Sequence, residues 1–477
     1  MIMHSFKNTI APPEILDGVR RGEVPAFCLF KHYNVESPAQ LRELSLALYA
    51  AAREGGLPPP LVGIDQEGGQ LIAVTHGATE LPGNMALGAT RSAALAEAAG
   101  RVLGRELLAM GINMNFAPSL DINTNPKNPA IGVRSFGDDP ALVSELGVAL
   151  IRGMQAEGVI ATAKHFPGHG DTEVDSHYGL PTITHTAERI RAVELAPFRA
   201  AIEAGVEAIM TAHILTQALD PDHPGTLSHL ILTRLLREEL GFKGLIVTDA
   251  LDMHAVAVLG HSYIVRRSLE AGADLAMLGH LPHQFELTDE SRPLWTPESI
   301  DRIRRARESR RTELPPLSVV GSPEHQAIAQ QIADASVTLT HGTLPLRLGE
   351  TDKLAVITVQ PRNLTPADSS ATVRISLPEA VVRRHANTQA LEIPRDAEEA
   401  EIRAALEACA DARAVVIGTI DAYRDTSQQA LVSALAERGQ AVYVVALRTP
   451  YDAAFLPQAA ALLCVYSVRA VSCEAAA

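Results

Sequence analysis

Between residues 26 and 278, short apolar runs alternate with longer amphipathic stretches, and this rhythm limits the chain to few folds. The apolar runs cover 26–30, 61–65, 113–117, 160–165, 208–213, 245–249 and 274–278. Helical spacing fills 39–54, 93–110, 140–157, 187–204 and 228–240. Largely apolar strands separated by helices belong to a parallel sheet covered on both faces. Seven such strands, with room for one more, predict an α/β fold of the (β/α)8 TIM-barrel type. Chemistry in such barrels gathers at the C-terminal ends of the strands. The polar residues fall there: Asp65 ends the second run, Lys164 and His165 the fourth, His213 the fifth and Asp249 the sixth, while Asp121 follows the third. A doubly wound open sheet would instead gather its ligand at one crevice fed by fewer strands.

A second pattern follows. Residues 302–311 are basic and helical, and 314–321, with Pro315 and Pro316, read as a linker. Helical spacing returns at 324–335, 398–410 and 427–438, and strand candidates lie at 354–359, 414–419, 441–446 and 461–465. The expected organisation is a barrel domain over residues 1–313, a linker over 314–322 and a smaller open-sheet α/β sandwich over 323–477. No GxGxxG or Walker motif marks a nucleotide site in the second domain. Its ending, SVRAVSCEAAA, shows no closing element.

The formal charge of −15 argues against nucleic-acid or anionic-membrane partners, which call for basic patches. A neutral or amphoteric small substrate fits better. The first residues lack the apolar core of a signal peptide, and no run of eighteen apolar residues occurs, so the chain reads as cytoplasmic and not membrane-bound. The four cysteines are scattered without metal spacing, and Cys28, in an apolar run, reads as a buried inert thiol. Oligomeric state is not legible.

The chemistry concentrates in IATAKHFPGHGDTEVDSHYGLP. From His165 to Gly179, fifteen residues hold three glycines, three histidines and two aspartates. Such a loop can be a mere solvated connector, but its titratable groups have partners elsewhere. Asp175 and His177 are separated by Ser176 alone, and a carboxylate-supported histidine can donate and accept a proton near neutral pH. Asp249 ends the apolar strand of GLIVTDALDM, where a carboxylate is costly unless used or paired. It either caps the next helix, for which Asp252 is an alternative, or serves as a nucleophile. A carboxylate nucleophile facing a proton donor is the minimal equipment of a retaining glycosidase. In VGIDQEGGQ, Asp65 or Glu67 could accept sugar hydroxyls. In NPAIGVRSFGDDP, Arg134 either clamps a polar substrate group or pairs with Asp138 or Asp139. A different class remains open: His165, His169, His177, His213 and Asp249 could hold zinc in a barrel amidohydrolase, although no HExxH occurs and a turn explains His169. A non-catalytic sugar-binding barrel would not need both Asp249 and the Asp175–His177 pair.

Together, IDQEGG, ELPGNMALGAT, NPAIGVRSFGDDP, KHFPGHGDTEVDSH, AIMTAHI and IVTDALDM resemble glycoside hydrolase family 3, in particular its β-N-acetylglucosaminidase branch. The resemblance is dense over residues 20–290 and loose beyond. It implies a β-N-acetylhexosaminidase that removes terminal non-reducing β-linked N-acetylglucosamine with retention. Asp249 would form a covalent glycosyl-aspartate, His177 would act as general acid/base and Asp175 would orient it. Lys164, His165, Asp65 and Arg134 would grip the sugar, and His213 is counted with them as substrate-binding. The partner implied is a small saccharide, with no metal or organic cofactor; peptidoglycan recycling is the implied setting, with chitin-derived sugars an alternative. Phosphorolysis and β-glucosidase activity remain alternatives on the same fold. Many relatives carry Arg where this chain has Gln70, which puts hydroxyl recognition on that side in question. Two-domain relatives also usually continue past an equivalent of Tyr466–Ser467, which implies an incomplete second domain. Gly168, Gly170 and Gly179 suggest that the loop moves to bring His177 into place.

Overall fold

A computed structural model describes all residues from Met1 to Ala477. The chain divides into two compact units. The first comprises Met1–Glu67, Ile72–Thr79 and Arg91–Gln326; the second comprises Gly68–Leu71, Glu80–Thr90 and Ala327–Ala477.

The first unit is an eight-stranded parallel barrel. Its strands are β1 Ile2–His4, β2 Ala26–Cys28, β3 Leu61–Ile64, β4 Met114–Asn115, β5 Ile160–Phe166, β6 Ala208–Thr211, β7 Leu245–Val247 and β8 Ala276–Met277. They neighbour one another in chain order, and β1 pairs with β8. A parallel bridge between Val247 and Leu275 closes the ring. The strand unmarked by the apolar rhythm is β1: three residues are too few for a periodic signal, yet all three are buried. Alternation along each strand divides the core. Met3, Ala26, Cys28, Leu61, Met114, Ile160, Met210 and Val247 share one inner cluster. Phe27 and Val62, on the opposite face, join the helices outside. The barrel centre is filled by Phe116, whose ring lies where a Cβ on Gly63 would stand, 2.3 Å away. Glycine is required there.

Except for β5, which runs one residue further, the observed barrel strands are shorter than the apolar runs. β3 ends at Ile64, β6 at Thr211 and β7 at Val247, so Asp65, His213 and Asp249 stand just past the strand tips. The 187–204 helix is two, Ala187–Ala192 and Ala196–Glu203. Pro197 starts the second, where a missing N–H costs nothing. Residues 314–321 are not a free connector. Leu314, Leu317 and Val320 pack on the first unit's core, and Arg42 Nη1 donates to the Pro315 carbonyl at 2.6 Å. Apolar residues at three-residue spacing supply a partly buried face that the prolines masked.

The second unit carries a six-stranded open sheet: β9 Thr338–Gly342, β10 Leu354–Val359, β11 Thr388–Ile393, β12 Ala414–Thr419, β13 Ala441–Ala446 and β14 Ala461–Cys464. Its order is β9-β14-β13-β12-β10-β11, with β9 antiparallel to β14 and all other pairs parallel. The strands visible in the sequence are the four central ones; β9 and β11 form the edges, half exposed and without an apolar run. The C-terminal stretch does have a closing element, the helix Ala470–Ala476, which buries Ser472 and Cys473. No helix is long and apolar enough to cross a membrane.

Candidate active site

At the C-terminal mouth of the barrel, the tip of β3 meets the end of β5. Lys164 Nζ lies 2.6 Å from Asp65 Oδ1 and 2.7 Å from Glu67 Oε1. The peptide joining Lys164 to His165 is cis. Arg134, on a short helical turn over Gly132–Arg134, forks onto Glu67 with Nε and Nη2 at 2.9 and 2.8 Å. A bidentate guanidinium–carboxylate pair holds both planes. Arg134 therefore pairs with Glu67, while Asp139 caps the helix Pro140–Ala156 through the Ala141 N–H. Burial alone would raise the Glu67 carboxyl, but Arg134 and Lys164 outweigh it and bring it down to about 2. Desolvation pulls Lys164 down, yet Asp65 and Glu67 hold its net value above the ordinary one. Two carboxylates and two cations cancel, which suits a neutral ligand. Within this set Asp65 is about a third exposed, whereas Lys164, Glu67 and Arg134 are buried beneath it.

Beside it, Asp121 organises the next layer. Its Oδ2 lies 2.7 Å from His165 Nδ1 and accepts from Ser119 Oγ, and its Oδ1 accepts from the backbone N–H of His169 at 2.6 Å. Burial opposes its ionisation, but His165 and His169 reverse that and hold it far below the carboxylate range. His165 Nε2 faces Arg134 Nη2 at 3.4 Å. His169 is an internal brace: Nδ1 meets Thr172 Oγ1 at 2.7 Å and Nε2 meets Ser176 Oγ at 3.2 Å, and burial lowers it to about 4. Asp121 and Glu67 were visible in the sequence as charges near strand ends. Their role as organisers was not, because it depends on partners 44 and 67 residues away.

Past β7, Asp249 Oδ1 accepts the N–H of its neighbour Ala250 at 2.8 Å. It caps no helix, and Asp252 does not either, since it receives the N–H and Nδ1 of His280 at 2.8 and 2.9 Å. Burial would raise Asp249, but the charges of His165, His213 and His177 and the Ala250 N–H lower it overall. His213 is fully buried, with Nδ1 on Thr226 Oγ1 at 2.8 Å and Nε2 on the Ala250 carbonyl at 2.9 Å. Its Nε2 ties it to the turn that carries Asp249, and its Nδ1 to Thr226 in the segment after β6.

On the loop after β5, His177 Nδ1 lies 2.7 Å from Asp175 Oδ1, which also accepts the His177 N–H at 2.9 Å. The Asp175 carboxyl is opposed by burial but lowered overall by His177. Ser176 is tied to the segment after β7 by the Ala255 N–H at 3.3 Å. Of the glycines read as hinges, Gly170 is a packing contact: an added Cβ would lie 1.7 Å from the Ile122 carbonyl oxygen. Exposed side chains begin further on, at Glu173, Val174 and Tyr178. Gln70 points to its own unit, donating to the Ala367 carbonyl at 2.9 Å and accepting from Arg448. No group of three or more His, Cys, Asp or Glu side chains is arranged to hold a metal ion. Of the histidines proposed as ligands, His169 and His213 have both nitrogens committed to other partners.

A parallel α/β barrel with an ionised carboxylate and a carboxylate-backed histidine at its mouth defines the class. A model of the glycosyl hydrolase family 3 N terminal domain matches residues 6–287, more than half of the chain. The chain belongs to glycosyl hydrolase family 3. It is 36% identical over 384 residues to beta-hexosaminidase A of Pseudoalteromonas piscicida, covering 71% of this chain and 63% of that protein. It is 36% identical over 298 residues to a beta-hexosaminidase of Stenotrophomonas maltophilia, covering 61% and 85%. Among solved structures, a family 3 beta-N-acetylglucosaminidase from Paenibacillus sp. str. FPU-7 superposes with a TM-score of 0.92 at 35% identity, covering 100% of this chain and 94% of that one. NagZ from Neisseria gonorrhoeae, solved with N-trifluoroacetyl-D-glucosamine, gives 0.60 at 30% identity over 70% of this chain and 97% of its own.

Proposed function

We propose that the chain is a retaining exo-β-N-acetylglucosaminidase acting on saccharides with a terminal non-reducing β-linked N-acetylglucosamine. The observation that carries this reading is the Asp175–His177 dyad within electrostatic reach of the ionised Asp249. The similarity to proteins named beta-hexosaminidase supports a hexosaminide substrate, and that to the solved beta-N-acetylglucosaminidase supports the choice of sugar. In the first step an Asp249 oxygen attacks the anomeric carbon, the bond from that carbon to the leaving oxygen breaks, and protonated His177 gives its Nε2 proton to that oxygen. In the second step neutral His177 takes a proton from water, the water oxygen attacks the same carbon and the ester to Asp249 breaks. Both groups return to their starting states. Asp65, the exposed member of its cluster, accepts sugar hydroxyls, while Lys164, Glu67 and Arg134 hold it and Asp121 orients His165. His213 acts on Asp249 through Ala250.

We also propose a moving loop tip, from Thr172 to Gly179, hinged beyond the clamped Gly170. Free and sugar-bound crystal structures with superimposable tips would remove that idea. Activity is tested by release of p-nitrophenol from its β-N-acetylglucosaminide, with β-glucoside, EDTA and added-phosphate wells in parallel. Turnover that survives EDTA and yields free sugar is expected. A sugar phosphate, a preference for the glucoside, or silence throughout would overturn the reading. A mechanism-based fluorosugar should label the peptide carrying Asp249, and D249N should abolish labelling and lower kcat by about 10³ or more.

A further inference from the structure

The charged clusters occupy the mouth from β3 to β7; the segments after β8, β1 and β2 carry something different. His280 stacks against Phe30 with ring centroids 4.3 Å apart and against Tyr33 at 5.1 Å. Lys7 Nζ lies 5.3 Å from the centre of the Tyr33 ring. Asp252 pins the His280 ring through Nδ1, and its Nε2 is covered and unpartnered although the side chain is about a third exposed. What His280 presents outward is therefore ring carbon. Tyr33 is 37% exposed. Phe30 is partly covered by this packing, whereas the outer sides of His280 and Tyr33 stay open to solvent.

The shelf is next to the chemistry. Phe30 and Ala250, the neighbour of Asp249, both pack on the barrel's inner cluster. Cys28, two residues before Phe30 and in the same inner cluster, is raised first by burial and then by Asp65, Asp252 and Asp249, which lie close enough to act on it. Beyond His280 a groove of about 520 Å³ runs past Lys7 and Gln284. Flat aromatic faces suit the C–H face of a pyranose, and the groove gives space for what is attached to it.

Resting on the hydrolase reading above, we propose that Phe30, Tyr33 and His280 form the subsite for the leaving saccharide, stacking its first pyranose ring and directing the rest into the groove beside Lys7. Asp252 is a positioning residue that holds the His280 ring. The test compares two substrates of the intact chain: N,N′-diacetylchitobiose, whose leaving sugar covers the shelf, and N-acetyl-β-glucosaminyl azide, whose leaving group is too small to reach it. Y33A should lower kcat/KM for the disaccharide about five- to tenfold, the worth of one aromatic contact, and leave the azide within about twofold. Y33F, which keeps the ring, should behave as wild type on both. Equal losses on the two substrates, or no loss on the disaccharide, would overturn the subsite. Wild-type inactivity on both would overturn the hydrolase reading itself, and the subsite with it.

Discussion

At the scale of single residues, the mouth of the barrel is governed by charges that burial alone would neutralise. Glu67 is the clearest case, ionised because Arg134 and Lys164 flank it. A carboxyl with a depressed folded value adds stability above its ordinary value, 4.5, and loses it as pH falls towards the folded one, about 2. E67Q should therefore cost about 3–5 kcal/mol at pH 7, since two buried cations lose their partner, and the gap to wild type should narrow below pH 4 in denaturant titrations. His169 has the opposite charge type. Its folded value of about 4 lies below the ordinary 6.5, so the unfolded chain takes up a proton first and stability falls as pH drops between them. Replacing it with Asn, which cannot titrate, should flatten that part of the stability profile. D175N should lower kcat about 10²–10³-fold with KM little changed, because His177 loses the group that sets its orientation. A substrate with a very good leaving group should recover most of the loss in the first step. Asp249, His177 and Asp175 were legible as candidates because a strand end and a three-residue motif are local. The work of His213 was not legible, because a partner contributed by Ala250 has no sequence signature.

At the scale of elements, the loop after β5 shows how a glycine's meaning depends on its neighbours. The sequence reads Gly168, Gly170 and Gly179 alike. Only the third is surrounded by enough space to hinge: a Cβ on Gly170 would overlap Ile122, while one on Gly179 would rest at 3.4 Å from Val174. G170A should accordingly destabilise the barrel by about 2–3 kcal/mol and reduce activity, whereas G179A should leave the melting temperature within about a degree and act, if at all, on kcat. Strand ends follow the same logic. The apolar runs extend through Asp65, His213 and Asp249, but the ladders stop one or two residues earlier, where these side chains leave the sheet. In the second unit, β9 and β11 escaped sequence reading because edge strands need no apolar alternation.

At the scale of the whole molecule, residues 68–71 and 80–90, although close in the chain to Asp65 and Glu67, group with the second unit. Within that unit Arg469, fully buried, donates to the Gly69 carbonyl at 2.7 Å and reaches Glu80 and Ser369 Oγ at 3.2 and 3.1 Å. Gln70 is held by Arg448 and Ala367. R469M should therefore destabilise the second unit by about 3 kcal/mol, seen as an earlier unfolding step in calorimetry, with R469K recovering less than half because one ammonium nitrogen cannot reach the three acceptors that three guanidinium nitrogens serve separately. An unchanged transition would show that these contacts carry little. Such a grouping could not be read along the chain, since residues 68–71 and 80–90 are separated from their partners by hundreds of positions. What the sequence determined by itself was whatever is local or periodic: the barrel, through strands apolar on both faces, and the strand-end charges and the DSH motif, through position. The tertiary structure alone decided which charges meet, which glycine is clamped and where Gln70 points. Those depend on distances between residues far apart in the chain, and burial sets their energies only once the fold has closed around them.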